Sequence, residues 1–258
     1  MKAAMVISAR TMSTNVHEII ARWLNFIQFW LFPSVCIVCK TAGQPDIDLC
    51  ACCRSALPQT ENPCPGCALP LPPGITPGSS CGACLSGRKV ICRTFAPFAW
   101  EEPVCGLVSQ FKYRHKFQNA RVLCELLLEQ LHEAYSAHEL PELLIPVPLH
   151  ASRLRERGFN QALMLARQLG KDLDLPVNTN LVRRVRHTPP QQGLGARERR
   201  RNLNGAFALW GPIPETVKSV AIIDDVCTTM TTVRTLAKLL HRHARQPLDI
   251  HVWALARA

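Results

Sequence analysis

The strongest constraint on how this chain can fold is a series of four Cys-x2-Cys pairs between positions 36 and 84. Each pair presents two thiolates to one metal ion, and two pairs complete a tetrahedral site. Because four cysteines leave no open coordination position, such sites hold structural zinc. In sequence order the two predicted sites consist of Cys36, Cys39, Cys50 and Cys53, and of Cys64, Cys67, Cys81 and Cys84.

The similar spacing of the two predicted sites indicates an internal repeat, a double zinc ribbon over residues 34–90. Cys52 competes with Cys53 for the first site, but only Cys53 keeps the two-residue spacing. Crossed pairing of the knuckles and disulfides are the alternatives. Zinc is preferred because no export signal is recognised and a short, loop-rich segment needs metal to fold.

Residues 1–33 predict an amphipathic helix, from about Val16 to Phe32. The apolar run from Trp23 is interrupted by Asn25 and Gln28, and it is far shorter than the roughly 20 residues that cross a bilayer. No small-residue cleavage site follows it. We therefore expect a cytoplasmic protein without a transmembrane segment. The helix would pack on its own domain or, alternatively, lie on a membrane surface.

A second strong signal is the stretch from Val220 to Thr232. Four apolar residues predict a buried strand, Asp224 and Asp225 follow, and a threonine-rich turn leads into a helical pattern. Free N–H groups at a helix N-terminus bind anions, and hydroxyl groups add donors. The donors would be Thr228, Thr229, Thr231 and Thr232. Carboxylates at a strand end suit sugar hydroxyls or a metal-bound pyrophosphate, so the stretch predicts a phosphorylated-sugar site. The alternative is an ordinary turn with a threonine cap.

The remaining patterns predict an α/β domain with a mainly parallel sheet flanked by helices. Its strands would include Leu143–Val147, Val220–Asp224 and Ile250–Leu255. One helical face ends in the basic residues 112–116, which could meet phosphates or solvent. The strand ending at Val147 leads into an arginine-dense loop, which would either contact a pyrophosphate or form a basic surface. The loop residues of interest are Arg157, Gly158, Asn160 and Gln161.

Positive charge is concentrated in one part of the chain. The net charge is +11, and twelve Lys and Arg against four Asp and Glu lie between Ser152 and Arg201. The segment from Arg183 to Phe207 predicts a mobile loop that attracts a phosphate backbone or closes over a pyrophosphate. The candidate DNA contacts are Arg197, Arg199, Arg200 and Arg201. Residues that read bases are scarce there, so single-stranded DNA would bind with little sequence specificity and could stack on Phe159.

The order of these motifs resembles the ComF family, within it the GntX-type DNA-utilisation and ComFC-type competence proteins. The resemblance rests on the cysteine pairs, Phe111-Lys112-Tyr113, Pro146 to His150, Arg157 to Gln161, Thr188 to Gln191, Arg200 to Asn202, Gly205 to Phe207 and the Asp224-Asp225 motif. It implies a zinc ribbon followed by a type I phosphoribosyltransferase-like domain over residues 91–258. By position, the acidic pair and the four threonines would hold the ribose and 5′-phosphate of phosphoribosyl pyrophosphate (PRPP) with Mg²⁺, and residues 157–161 its pyrophosphate. Met230 departs from the glycine usual in the family.

Two functional hypotheses follow from this resemblance. In one, the protein acts in uptake or utilisation of incoming DNA, keeps a PRPP pocket and binds single-stranded DNA, in contact with DNA-uptake or recombination proteins. In the other, it is an active phosphoribosyltransferase of nucleotide salvage or modification with an unknown acceptor. No general base can be named from the sequence.

Overall fold

The computed structural model describes residues 34–186 and 205–258. Its chain divides into two compact units, Met1–Ala56 and Leu57–Ala258. The predicted helix over residues 16–32 and the four arginines from Arg197 to Arg201 lie outside the described residues.

The described part of the first unit contains isolated β-bridges and one short helix around its Cys-x2-Cys pairs. Isolated antiparallel bridges join Val35 to Ala42 and Gln44 to Ile47. Helix α1 (Ala51–Ser55) follows, and the sulfur of its N-cap residue Cys50 accepts a hydrogen bond from the N–H of Cys53. Buried Ile47 and Leu49 give this short segment its small apolar interior.

The second unit is organised on one parallel sheet, as the sequence predicted. Its strands are β1 (Arg93–Phe95), β2 (Phe98–Ala99), β3 (Leu143–Pro146), β6 (Ser219–Cys227) and β7 (Asp249–Arg257). Strand β7 pairs with β6 on one side and with β1 and β2 on the other, and β6 pairs with β3. The predicted α/β class with a mainly parallel sheet is therefore confirmed.

Helices cover both faces of this sheet. The helices of this unit are α2 (Gly82–Leu85), α3 (Val104–Arg114), α4 (Phe117–Ala134), α5 (Ala151–Arg157), α6 (Gln161–Asp172) and α7 (Thr231–His243), of which α4, α6 and α7 pack on the sheet. Side chains alternate along a strand, so each long strand contributes to two cores. Val220 and Ile222 join a core that contains Val233 and Leu236 of α7. The opposite face carries Ala221, Ile223 and Trp253, all fully buried, and α4 and α6 contact β7 and β6.

Two segments that the sequence predicted as loops contain regular structure. The arginine-dense segment after β3 forms α5, because Ala151 to Arg157 are good helix formers that end at Gly158 in the left-handed conformation. At the ends of the predicted loop from Arg183 to Phe207, β4 (Val182–Arg184) pairs antiparallel with β5 (Phe207–Leu209). That loop prediction was wrong at both ends, and residues 187–204 lie outside the described residues.

The second cysteine group lies in the same compact unit as the sheet. Buried Cys64, Cys67 and Ala68 belong to one apolar core with strand and α7 residues. The N–H of Thr94 in β1 donates to the carbonyl of Pro65, and the Arg257 guanidinium in β7 donates to that of Cys67. The division after Ala56 lies between the two cysteine groups, so the second group shares its compact unit with the sheet.

Candidate functional site

The acidic pair lies where two strands of the sheet separate. Strand β6 continues to Cys227 beside β7, but its last partner in β3 is Pro146, opposite Ile223. Asp224 and Asp225 are therefore the first residues of β6 beyond β3. Ligands of open α/β sheets bind at the carboxyl ends of the strands, and both carboxylates stand at that edge.

Asp225 is paired with a lysine from a distant part of the sequence. The Nζ atom of Lys112 in α3 lies 2.9 Å from Oδ1 of Asp225, and the two side chains are 18% and 13% exposed. Lys112 also lies 5.9 Å from the ring centroid of Trp100. An ion pair so little exposed to water is screened less by salt than a surface pair. The pair therefore keeps the positive charge of Lys112 beside the acidic residues.

Asp224 is in a different electrostatic environment from its neighbour. Burial raises the pKa of Asp224 to about 7, and repulsion from Asp225 adds to the shift, while Lys112 and Arg184 oppose it. Its Oδ1 accepts a hydrogen bond from the N–H of Asp225 at 2.9 Å. Because successive side chains of a strand point to opposite faces of the sheet, the carboxylates of Asp224 and Asp225 lie on different faces. A Mg²⁺ ion or sugar hydroxyls could satisfy this carboxylate.

Arg184 of β4 supplies the cation on the Asp224 side. Burial lowers the pKa of Arg184, repulsion from Arg153 of α5 adds to this, and attraction to Asp224 opposes it. Its guanidinium lies 5.6 Å from the ring centroid of Phe207 in β5. The crevice is thus lined by carboxylates and by cations from α3 and the β4–β5 pair.

The predicted phosphate loop ends in a strained residue. Met230 has φ 60° and ψ 5°, in the left-handed region, and its side chain is buried. Non-glycine residues rarely adopt this conformation. The structure therefore shows a left-handed backbone at the position where glycine is usual in the family that the sequence resembles.

Helix α7 begins directly after Met230 without a side-chain cap from any described residue and without an acidic residue in its first turn. Its first N–H groups are free to meet an anion. The hydroxyl oxygens of Thr229 and Thr231 lie 2.8 Å apart, and Thr228 is exposed. Strand end, threonine turn and helix start occur in the predicted order, and the N-cap residue of the helix is Met230 and not a threonine.

The four residues predicted for the pyrophosphate make contacts within the protein. Gly158 ends α5 with φ 78°, and Asn160 caps α6 while its amide donates to the Val147 carbonyl at 3.0 Å. Arg157 donates to Oε1 of Gln161 at 2.8 Å and lies 5.3 Å from the ring centroid of Tyr113. Gln161 is only 2% exposed. Asn160 therefore ties the residue that follows β3 to the start of α6.

Phe159 is not the freely exposed stacking residue that the sequence suggested. It is half-buried, and its ring centroid lies 5.2 Å from that of Phe111 and 5.1 Å from that of Phe117. His115 packs against it as well, at 5.4 Å. The cluster joins α3, α4 and the start of α6, so its first role is packing.

The eight predicted metal ligands form the two predicted groups. Within each group the sulfur atoms all lie within 4.8 Å of one another, with Cys53 and not Cys52 in the first. The sulfurs of Cys39 and Cys50 are 3.6 Å apart, as are those of Cys67 and Cys81. A tetrahedral zinc ion at about 2.3 Å from each sulfur would separate them by about 3.8 Å. Both groups are consistent with zinc, and crossed pairing is not what the described residues form.

Local hydrogen bonds favour the thiolate form of particular cysteines in each group, whereas the hydrogen bond from Cys50 raises the pKa of Cys53 and burial raises the pKa of Cys84. The hydroxyl and N–H of Thr41 lower the pKa of Cys39 to about 6. Burial opposes ionisation of Cys64, but backbone N–H donors of Cys81, Gly66 and Cys67 outweigh it and lower its pKa to about 7. Thiolates are the form that binds zinc, and the hydrogen bonds at Cys39 and Cys64 favour that form for one ligand in each group.

Sequence reasoning missed the two cations of the crevice as partners of the acidic pair. Lys112 was predicted only as part of a basic helix end, and Arg184 only as part of a loop. The signal that the sequence offered for Lys112 was the Phe111-Lys112-Tyr113 motif in the resemblance to the family. The meeting of Lys112 with Asp225 depends on how α3 packs on the sheet, which no local pattern reports.

None of the helices in the described part of the chain is both long and apolar enough to cross a bilayer.

Comparison with known proteins identifies relatives over most of the chain. A family model described as a double zinc ribbon domain matches residues 27–85. Competence protein F of Haemophilus influenzae is 40% identical over 69% of this chain and 78% of its own length. The DNA utilization protein YhgH of Escherichia coli K12 is 33% identical over 87% of this chain and 97% of its own length, as is that of Salmonella typhimurium.

A purine phosphoribosyltransferase from Pyrococcus horikoshii is similar in structure, with a TM-score of 0.31, 16% identity and coverage of 53% of this chain and 80% of its own.

Proposed function

This chain belongs to the ComF family of competence and DNA-utilisation proteins, and we propose that it acts in uptake or utilisation of incoming DNA. In this proposal a crevice at the sheet edge binds Mg²⁺-bound PRPP, and a basic surface binds single-stranded DNA. The names of the relatives support the role in DNA uptake or utilisation. The residues of the crevice support the binding of PRPP.

The observation that carries the PRPP proposal is the position of the acidic pair relative to α7. Asp224 and Asp225 stand at the edge of β3, and a threonine turn then leads to a helix start that no described side chain caps. Carboxylates suit ribose hydroxyls and Mg²⁺, and a helix start suits a phosphate. A phosphorylated sugar presents both groups in one molecule.

Each residue has a definite task in this proposal. Asp224 and Asp225 hold the ribose hydroxyls and the Mg²⁺, and the threonines with the first N–H groups of α7 hold the 5′-phosphate. Lys112 turns from Asp225 to the negative charge of the ligand. Arg184 and Arg153 add positive charge beside a pyrophosphate, with Arg157, Gly158, Asn160 and Gln161 shaping that end of the crevice.

Calorimetric titration of PRPP with Mg²⁺ tests this site. We expect the wild-type protein to bind, and Asp225→Ala to lose binding because the carboxylate facing Lys112 is gone. Asp172→Ala removes an exposed carboxylate from the far end of α6 and is the matched control. Failure of the wild-type protein to bind at millimolar PRPP, or retention of full affinity by Asp225→Ala, contradicts the proposal.

The second candidate function is an active phosphoribosyltransferase with an unknown acceptor. The approach of Lys112 and Arg184 to the acidic pair favours it, because transfer chemistry of this kind relies on positioning and charge stabilisation. Release of pyrophosphate from PRPP, with and without single-stranded DNA, distinguishes an enzyme from a protein that only binds PRPP. Binding without release assigns the pocket to sensing or scaffolding.

The proposal places this work in the cytoplasm, beside DNA-uptake or recombination proteins. Single-stranded DNA would bind with little sequence preference, in part through Arg197, Arg199, Arg200 and Arg201. Substitution of these four arginines by alanine should weaken binding of an oligonucleotide and reduce its dependence on salt, because each lost phosphate contact lowers the salt slope by roughly 0.7.

A further inference from the structure

A basic groove lies beside the second cysteine group, away from the acidic crevice. Two adjoining clefts, of about 530 and 710 Å³, share Arg88, Lys89, Val90 and Lys238 as lining residues. We define the basic groove by its six cationic or titratable residues. They are Arg88, Lys89, Arg234, Lys238, His241 and Arg242.

One wall of the groove is a face of α7. The cationic or titratable residues of this face are spaced four, three and one residues apart, so they share one side of the helix. They are Arg234, Lys238, His241 and Arg242. At 1.5 Å per residue the row is about 12 Å long. A row of this length can face more than one phosphate of a strand, each of which carries a negative charge.

The other wall is the segment that leaves the second cysteine group. Arg88 and Lys89 are exposed there, before β1. Two contacts hold this segment to α7. The Arg234 guanidinium donates to the sulfur of Cys84 at 3.6 Å, and Nε2 of His241 donates to the Val90 carbonyl at 3.0 Å. The groove is therefore preformed, because both walls are tied together.

The charge of the groove is not neutralised within the described part of the chain. No carboxylate lines either cleft among the described residues. Arg88, Lys89, Lys238 and Arg242 form no ion pair there within 4.0 Å. Four exposed cations facing one channel attract a polyanion, and release of its counterions drives binding.

We propose that the basic groove is a docking track for the phosphate backbone of single-stranded DNA. The inference rests on the proposed function in DNA utilisation. It adds a surface outside the arginine cluster at 197–201 and outside the acidic crevice. Among the described lining residues Leu85 is the one exposed large apolar side chain, whereas binding in a lipid surface takes a whole apolar face, so the mainly cationic channel fits a strand better.

The groove predicts a particular kind of binding. Its floor includes Pro65, Leu85 and Ile91, and no aromatic side chain lines it among the described residues. Bases find no stacking platform there, so affinity comes from phosphates and is insensitive to base composition. The track starts at Arg234, one turn into the helix whose N-terminus forms the proposed phosphate site, so a bound strand would pass close to that site.

Fluorescence anisotropy with a labelled oligothymidylate and the zinc-loaded full chain tests the inference. Lys238→Ala with Arg242→Ala should weaken binding roughly 10- to 30-fold at about 0.1 M salt and reduce the salt slope by about 1.4, as expected for two lost phosphate contacts. Arg88→Ala with Lys89→Ala, on the opposite wall, should act alike. Unchanged thermal unfolding and zinc content show that each variant is folded.

The matched control is Arg167→Ala with Lys171→Ala. This pair also combines one arginine and one lysine, four residues apart and exposed on a helix, but it lies on α6. Its affinity and salt slope should stay within about twofold of wild type.

Three outcomes would overturn the inference. If the wild-type protein binds the strand and both groove variants keep its affinity and slope, the groove is not the track, while the proposed function stands. If the groove variants lose binding only to phosphatidylglycerol vesicles, the surface serves a membrane. If the wild-type protein binds no strand even at low salt, the proposed DNA binding itself fails, and the inference with it.

Discussion

Met230 combines two opposing energetic effects in one residue. Its left-handed backbone costs roughly 1–2 kcal/mol relative to an ordinary conformation, and glycine would relieve much of that cost. Its side chain is only 4% exposed, within the core that α7 forms with the sheet. Truncating a buried methionine costs about 2–5 kcal/mol, so the cavity outweighs the relief of strain.

We therefore expect Met230→Gly to lower the free energy of unfolding by about 1–3 kcal/mol, measured by urea denaturation. Met230→Leu, which keeps the volume and the strain, should cost less than about 1.5 kcal/mol. A glycine variant more stable than wild type would mean that backbone strain dominates. Titration of PRPP into Met230→Gly should show binding as tight as that of the wild type or tighter, since glycine lets the backbone approach a phosphate.

Asp224 makes the stability of the protein depend on pH. Its pKa is raised to about 7 in the folded chain, chiefly by burial, against about 4 in an unfolded one. The folded state therefore binds this proton more tightly, so the wild-type stability falls as pH rises from about 4 to about 7. The stabilisation from the protonated Asp224 is fully present below a pH of about 4, the pKa in the unfolded chain, and is lost as the pH rises to about 7, the pKa in the folded chain.

Asp224→Asn should gain stability relative to wild type when pH is raised from about 5 to about 8, because it has no carboxylate to ionise. Urea denaturation without ligand at both pH values measures the difference. Asp172→Asn, exposed at the end of α6, controls for the loss of a carboxylate elsewhere. An equal advantage of Asp224→Asn at both pH values would contradict the assignment.

At the scale of elements, the packing of α6 depends on a close approach at Gly170. A Cβ atom there would lie 2.5 Å from Cγ2 of Val177 and 2.7 Å from the carbonyl oxygen of Leu175. The chain following α6 returns beside β3, where Val177 bridges to Leu144. The glycine therefore lets the helix lie against this returning backbone.

Gly170→Ala should lower the free energy of unfolding by about 1–3 kcal/mol, since the clash with backbone exceeds the helix preference of alanine. The control is Gly106→Ala in α3, whose Cβ would meet only the movable carboxylate of Glu102. That variant should be neutral or up to about 1 kcal/mol more stable. Thermal or urea unfolding of the two variants decides, and equal effects would contradict the packing argument.

At the scale of the whole molecule, the two cysteine groups differ in how much they contribute to the core of the second unit. Cys64 and Cys67 belong to the core of the second unit, and the Cys67 carbonyl accepts from Arg257 of β7. Cys39 of the first group is exposed and belongs to the first unit. Loss of metal from the second group should therefore loosen the sheet.

We predict that Cys67→Ser increases amide exchange along β1 and the end of β7, whereas Cys39→Ser leaves exchange in residues 57–258 near wild type. Hydrogen exchange read by mass spectrometry, with zinc content measured in parallel, tests this. Equal protection of β7 in both variants would show that the second group does not support the sheet.

Local spacing was enough to predict much of the fold. The Cys-x2-Cys pairs selected the eight ligands in two groups because each pair acts within one turn of chain. The apolar face of Val233, Leu236, Ala237 and Leu240 predicted α7, and all four are buried there. Patterns of this kind report neighbours along the sequence, and those neighbours also share a face in space.

Tertiary structure alone decided which distant residues meet. Lys112 reaches Asp225, and Arg184 acts on Asp224, only because helices and the β4–β5 pair pack on particular faces of the sheet. The same packing joins the second cysteine group to the sheet and aligns Arg88 and Lys89 with α7. Periodicity tells which side of an element is buried, but not against what. The ligands and helix starts could therefore be predicted from sequence, whereas the charged partners and the groove follow from the topology.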